Sequence, residues 1–363
     1  MSEVPPGPQG PEEQPLPAAT GWTRGRKLAA AAAAALLVLA VVITAVVLSL
    51  PKTESAAPPP TAPPTTASPT PTPTPPPKPA PAPPPEPAPT DLNILLVGSD
   101  SRVNARGEAL AGNVSDQRGD ALIFLHLPAD RQSVYGISIM RDLWVDIPGF
   151  GGGKVNSALE LGGVPLMTRT VGTLLGQPIQ HTVMLDFEGF AGLTDAVNGV
   201  DVDIKVPFTS TLESGHYFGP GVNKLNGAQA LDFVRERKAF SDGDYQRVRN
   251  QQTFLKAVLA KAVGSGVLVD RPTVHAFVTG VLPHVSVTPG LTQETLERLA
   301  FSLRTVPAGN GVFFTLPTAG IGTSPDGQSI VLQNPGATAE VAAALASGGL
   351  GNYVGSHNLQ NGN

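Results

Sequence analysis

Residues 57–90 contain 18 of the chain's 38 prolines, set among Thr and Ala. Proline fixes φ and removes a backbone donor, so neither a helix nor a sheet interior can run through such a stretch. It reads as a polyproline-II stalk, reaching on the order of 100 Å at full extension. This splits the 363 residues into a short leading part and a long trailing part, with the stalk as 51–90.

The leading part has two pieces. Residues 1–27 are rich in Pro, Gly and Glu, are expected to be disordered, and end in Arg24, Arg26 and Lys27. Leu28 to Leu50 follow, 23 residues without a charge. As a helix they extend roughly 34 Å, enough to cross a bilayer. Three basic residues precede this run and only Lys52 follows closely, which predicts a cytoplasmic N-terminus and an extracellular remainder. A cleaved signal peptide is the competing reading, with Ser55-Ala56-Ala57 as small residues for a peptidase. The apolar run is longer than an ordinary signal core, which favours an uncleaved signal-anchor.

Residues 91–345 carry 19 Lys and Arg against 24 Asp and Glu and show no internal repeat. The absence of cysteine excludes a disulfide scaffold, a thiol nucleophile, a thiolate zinc site and an iron–sulfur centre. The six histidines lack helical or finger spacing, and a sequence pI near 5.7 without a long basic run argues against nucleic-acid binding. Residues 94–97, 122–127, 134–139, 182–185, 200–204, 312–316 and 329–332 read as strands. Residues 159–175 (interrupted by Gly162-Gly163 and Pro165), 187–197, 227–235, 245–263, 292–303 and 337–346 read as helices. This alternation predicts an α/β fold, a central β-sheet flanked by helices on both faces, and the hairpin-like 121–139 stretch makes that sheet mixed. The Gly-rich residues 346–363 read as a flexible tail.

Four polar clusters interrupt this pattern. Gly98-Ser99-Asp100-Ser101-Arg102 follows a strand, where α/β sheets place their ligands. Arg118-Gly119-Asp120 precedes a core strand, and Met140-Arg141-Asp142 follows another. The densest cluster is Arg235-Glu-Arg237-Lys238 with Asp244, Arg247, Arg249 and Gln251. On an extended segment Arg235 and Arg237 point the same way. Asp244, Arg247 and Gln251 share one helix face. Taken singly, these are a turn, a cap, a surface ion pair and a solvated face. Together they gather arginines suited to phosphate oxygens and a carboxylate pair, Asp100 and Asp120, suited to a hard divalent cation. The combination points to a pyrophosphate. Walker A, Rossmann and Gly-x-Ser-x-Gly patterns are absent.

These residues resemble the LytR-CpsA-Psr family of membrane-anchored envelope phosphotransferases. The resemblance rests on Asn93 to Arg102, Arg118 to Ala121, Ser138 to Asp142 with Val145 to Pro148, and Lys154 to Ala158. It continues through Asp186 to Phe190, Asp195 to Asp201, Leu225 to Leu231, Val234 to Arg237, and Asp244 to Gln252. It covers about 91–263 in order, and 264–345 fits the looser end of the same domain. Three positions depart from the family pattern: Met140 stands where Pro is usual, Gly119 where Ser is commoner, and Asn250 where a second Arg is common. Arg249 lies next to Asn250, but helical neighbours differ by about 100° in direction.

The resemblance implies transfer of a glycopolymer from a polyprenyl-pyrophosphate carrier to peptidoglycan, with a muramic acid C6 hydroxyl as acceptor. It implies Mg²⁺ (or Mn²⁺) on Asp100 and Asp120, and a pyrophosphate clamp of Arg118, Arg141, Arg235, Arg237 and Arg247. Gln251 and Asp244 would support the clamp, Arg102 would lie with the substrate-binding residues, and the prenyl chain would occupy an apolar tunnel between sheet and helices. Water in place of the sugar hydroxyl would make the same site a pyrophosphatase. A stiff stalk suits work in or near a thick cell wall. The alternative is a non-enzymatic, membrane-tethered binder or regulator of anionic wall polymer or lipid phosphate. The carboxylate pair separates the two readings, because a pure anion binder gains nothing from it. The polymer itself, whether teichoic acid, capsule or arabinogalactan-type glycan, stays open.

Overall fold

The computed structural model describes residues 90–99, 108–113, 119–264, 268, 270–289, 291–307 and 309–362. The expected tail 1–27, membrane helix 28–50 and nearly all of stalk 51–90 lie outside them, as do Asp100, Arg102 and Arg118. Among the described residues no helix is long and apolar enough to cross a membrane.

A six-stranded sheet forms the centre. Its strands are β1 (Leu92–Ser99), β2 (Gly119–Leu127), β3 (Val134–Ile139), β6 (His181–Asp186), β11 (Ser286–Val287) and β12 (Gly311–Thr315), in the order β11-β6-β1-β2-β3-β12. β1 and β6 are parallel, as are β3 and β12, while β2 is antiparallel to both its neighbours. The sheet is therefore mixed, as the hairpin-like 121–139 stretch predicted. β1 reads as a continuous apolar run because both of its faces are covered. Ile94 and Leu96 enter one core, and Leu95 and Val97 enter the other.

Helices cover both faces. On the first lie α2 (Phe187–Ala196), α3 (Gly227–Arg235), α4 (Asp244–Gly264), α5 (Arg271–Val281) and α6 (Gln293–Ser302), which contribute Leu193, Phe233, Phe254, Phe277 and Leu296 to one cluster. On the second lie α1 (Ser157–Leu175) and α7 (Pro335–Ala346), contributing Leu159, Val171, Val341 and Leu345. Smaller hairpins decorate this frame: β4 (Trp144–Ile147) with β5 (Gly151–Lys154), β7 (Val200–Ile204) with β10 (Gly221–Leu225), β8 (Phe208–Thr209) with β9 (Tyr217–Phe218), and β13 (Thr318–Thr323) with β14 (Ser329–Gln333).

The structure corrects one expectation. Residues 346–363 are not a loose tail: Leu350–Ser356 form α8, and a 3-10 turn follows at Leu359–Asn361. Leu350, Tyr353, Val354 and Leu359 are buried in the second core, so the folded domain continues past 345. Arg235 stands where the predicted helix 227–235 puts it, so the geometry of an extended Arg235–Arg237 segment does not apply. It is the last residue of α3, and the chain becomes extended at Glu236.

Strand directions bring the functional clusters to one edge. The carboxyl ends of β1, β3 and β6 and the start of β2 all meet there. Leu122 pairs with Ile139, and the same register carried two residues further sets Asp120 opposite Arg141. β6 ends at Asp186, whose side chain accepts from the Gly189 amide at 2.7 Å and starts α2. A reciprocal capping box between Asn226 and Gln229 starts α3, which ends at Arg235 as the chain becomes extended at Glu236.

Candidate active site

At this edge the sheet, α2, α3 and α4 enclose a cavity of about 430 Å³. Its inner wall is apolar: Leu96, Ile123 and Val183 from the sheet face Phe190, Leu231, Val234 and Phe254 from the helices. Its charged lining comprises the cations Arg141, Arg235, Arg237, Lys238 and Arg247, with the carboxylates Asp120, Asp186 and Glu236. A cavity that joins an apolar body to a cationic rim suits an amphiphile with an anionic head.

Arg141 is the hub of the ion pairs. Its Nη1 donates to Asp120 Oδ1 at 2.5 Å, and its Nε lies 3.3 Å from Asp244 Oδ2 and 3.5 Å from Asp142 Oδ2. Asp142 also meets Lys154 at 3.2 Å, which ties the β4–β5 hairpin to the site. Burial works against the charged guanidinium of Arg141, but Asp244, Asp120 and Asp142 outweigh it and raise its pKa. Arg247, one turn into α4, is buried and reaches Asp244 at 3.3 Å. Burial lowers its pKa, and repulsion from Arg141 lowers it further. Arginine remains charged at neutral pH even so. Arg237 Nη1 stands 3.7 Å from Asp244 Oδ1.

Asp244 thus sits among three guanidinium groups. Among the described residues, Arg141 Nε, Arg247 Nε and Asp244 Oδ1 are buried without a hydrogen bond. The arginine donors hold capacity that phosphate oxygens would use. Arg235 stacks over the Phe187 ring at 4.1 Å, and both residues line the cavity. Gln251 lines the cavity while its Nε2 donates to the Val234 carbonyl at 3.2 Å.

Sequence reasoning named Asp120, Arg141, Arg235, Arg237, Arg247, Asp244 and Gln251, and the fold brings all seven to one edge of the sheet. Asp100, Arg102 and Arg118 lie outside the described residues. Among the described residues no group of three or more His, Asp or Glu is arranged to hold a metal ion. Asp120 is the candidate carboxylate the structure places at the cavity, and its oxygen chemistry suits a hard cation.

Two of the three departures are placed by the structure. Asn250 is buried, donates to the Phe233 carbonyl at 3.1 Å and accepts from Gln246, so it joins α4 to α3. Arg249 turns to Asp242 and Gln246 and does not line the cavity. Met140 is buried in the second core. Lys238 was placed in the basic cluster from sequence without a role of its own, and Phe187 was not singled out. Lys238 is one more cation in a charge run, and Phe187 looks like any apolar residue starting a helix.

The fold and the site together define an α/β/α domain with a cationic rim on an apolar cavity. The LytR_cpsA_psr family model matches residues 82–300, more than half of the chain, and the protein belongs to that family. The chain is 30% identical to the cell wall biosynthesis protein LcpA of Corynebacterium glutamicum over 275 residues, 66% of this chain and 52% of that one. It is 36% identical over 171 residues to the polyisoprenyl-teichoic acid–peptidoglycan teichoic acid transferase TagU of Bacillus mycoides, 47% of this chain and 52% of that one. The matched part spans about half the length of these curated relatives. The fold matches the crystal structure of TagV from B. subtilis with a TM-score of 0.60 and 21% identity, covering 71% of this chain and 96% of that one.

Proposed function

We propose that this protein transfers a glycopolymer from a polyprenyl-pyrophosphate carrier to peptidoglycan by phosphoryl transfer. The observation that carries this reading is the single cavity joining an apolar wall to five cationic side chains. The prenyl chain lies along Leu96, Ile123, Phe190, Leu231 and Phe254, and the pyrophosphate meets Arg141, Arg235, Arg237 and Arg247 at the rim. The relatives named above as cell wall proteins and a teichoic acid transferase support the same class of reaction.

The acceptor hydroxyl attacks the polymer-side phosphorus and gives up its proton to solvent. The new phosphoester bond forms as the bond from that phosphorus to the bridging oxygen breaks, and polyprenyl phosphate leaves with the bridging oxygen. Arg141 and Arg247 stand at fixed positions before substrate arrives, because Asp244 and Asp120 already hold them. Charge that develops on the phosphate oxygens is met by preorganised donors, which is worth more in a partly dry cavity than in water. Asp120, with Asp100, would hold Mg²⁺ or Mn²⁺. Such a cation supplies Lewis-acid neutralisation of pyrophosphate charge. In the cell, residues 28–50 anchor the chain, with residues 1–27 cytoplasmic and the folded domain outside.

The test incubates the full chain with a polyprenyl-pyrophosphate-linked glycan and peptidoglycan fragments, with Mg²⁺ or EDTA. Glycan joined to the fragment with release of polyprenyl phosphate, abolished by EDTA and lowered on the order of 10²–10³-fold in Arg141→Ala, is the expected result. Release without joining would identify a pyrophosphatase. Binding without turnover, indifferent to EDTA, would overturn the transferase reading in favour of a binder.

A further inference from the structure

Glu236 lies between two clamp arginines, yet its side chain turns inward and is 1% exposed. Six donors converge on its carboxylate. Oε1 accepts from the Thr211 hydroxyl at 2.9 Å and from the backbone amides of Arg237, Lys238 and Ala239 at 2.9, 2.8 and 3.1 Å. Oε2 accepts from the Thr211 amide at 2.6 Å and the Ser210 hydroxyl at 3.2 Å. Two separate walls of the cavity are joined through this one group. Arg235, Arg237 and Lys238 form one wall, and Thr211 with Leu212, in the loop between β8 and β9, forms the other.

The three amides of residues 237–239 form a concave donor set of the kind that binds anions. Here the chain fills it with its own carboxylate. The turn that carries Arg237 is thereby fixed without using any of the guanidinium's donors. An apolar residue at 236 would leave these amides and the Thr211 amide without their acceptor.

We propose that Glu236 is a positioning residue that sets both the arginine rim and the β8–β9 wall of the cavity. The inference rests on the transferase reading for its kinetic consequence, but its structural premise stands apart from that reading. The two carboxylate oxygens divide the task. Oε1 takes all three amides of the Arg237 turn, which acts on the pyrophosphate, and shares one bond with the loop through the Thr211 hydroxyl. Oε2 holds the β8–β9 loop, which borders the apolar chain.

Two variants separate these roles. Glu236→Ala removes both connections, and its main loss falls on kcat, about 10- to 100-fold, since small displacements of a clamp group carry costs of that size. Glu236→Gln keeps one oxygen for the three amides but sets an amide group against the Thr211 N–H. It raises KM for the lipid-linked donor about 3- to 10-fold while kcat stays within about threefold. The variants are made in the full chain, with circular dichroism and thermal melting to measure the folded fraction. Binding of dodecyl phosphate, an alkyl tail with a single phosphate, is measured by calorimetry beside turnover.

A kcat loss in Glu236→Ala with a KM rise in Glu236→Gln supports the proposal. Wild-type constants per folded molecule in both variants would overturn it and leave Glu236 as a stability element only. If the wild-type chain binds dodecyl phosphate but transfers nothing, the transferase reading fails on its own. The positioning role is then decided by binding: about tenfold weaker in Glu236→Ala supports it, and unchanged binding overturns it. A wild-type chain that neither binds nor transfers has no rim for Glu236 to position, and both inferences fall.

Discussion

Asp244 keeps three like charges together. Without its carboxylate, Arg141, Arg237 and Arg247 would face one another across the rim. Asp244→Asn should therefore lower stability by about 1–3 kcal/mol, less than for a fully buried pair because the site retains solvent contact. An unchanged urea midpoint at pH 7 would show that the arginines hold their places without it. Arg249 supplies the contrast. It belongs to the same helix but pairs with Asp242 and Gln246 away from the cavity, so Arg249→Ala should leave transfer within about twofold of wild type. A loss comparable to that of Arg141→Ala would place it in the clamp after all. Glu236 gives a pH signature. Burial alone would raise its pKa, but hydrogen bonds from Thr211, Ala239 and Arg237 lower it below the ordinary glutamate value. A carboxyl depressed on folding stabilises the native state above its unfolded pKa, about 4.3, and loses that contribution as pH falls through the lower folded value. The stability gap between wild type and Glu236→Gln should be full above about pH 5 and close as the solution is acidified. A gap that widens in acid would contradict the assignment. From sequence, the clamp arginines stood out as charge where an acidic domain had no need of it. Glu236 did not, because nothing in its type or spacing says that it turns inward.

Elements with a burial rhythm were legible, and those without one were not. β3 and β7 have the bounds their apolar patterns predict, as does α3 with its capping box. The β4–β5 hairpin was missed because Gly151–Lys154 has no apolar residue to mark it, and α8 because glycines dilute its three anchoring side chains. Removing residues 350–362 should cost roughly 1.5–3 kcal/mol for each large side chain lost from the core, and thermal melting will show whether the shortened chain still folds cooperatively. A melting temperature equal to wild type would restore the flexible-tail reading. α1 is the opposite case, since Gly162-Gly163 and Pro165 marked an interruption that the structure contains. Gly163 adopts φ +59°, and a Cβ there would come within 2.4 Å of the Ala109 carbonyl oxygen. Gly163→Ala therefore meets both strain and collision, and should cost at least ~1–3 kcal/mol in denaturant unfolding. A neutral effect would mean that the kink does not depend on this glycine.

At the scale of the whole molecule, topology turns scattered clusters into a site. Residues 120, 141, 186, 235 and 247 come from five separate stretches, and only the strand directions bring them to one edge. The sequence named most of these residues but not which faced which, because the Asp120–Arg141 pairing depends on the register between β2 and β3. The apolar wall was hidden for a different reason: side chains that line a cavity and side chains that fill a core are drawn from the same set. The central claim is that one cavity receives both halves of an amphiphilic donor. Its most direct test is photocrosslinking of the full chain with a polyprenyl pyrophosphate that bears a photoreactive group on the prenyl chain, followed by peptide mapping. Adducts on Phe190, Leu231, Val234 and Phe254, displaced by unlabelled polyprenyl pyrophosphate and weakened in Arg141→Ala, are the predicted result. Displaceable adducts confined to surfaces away from α2, α3 and α4 would contradict the account.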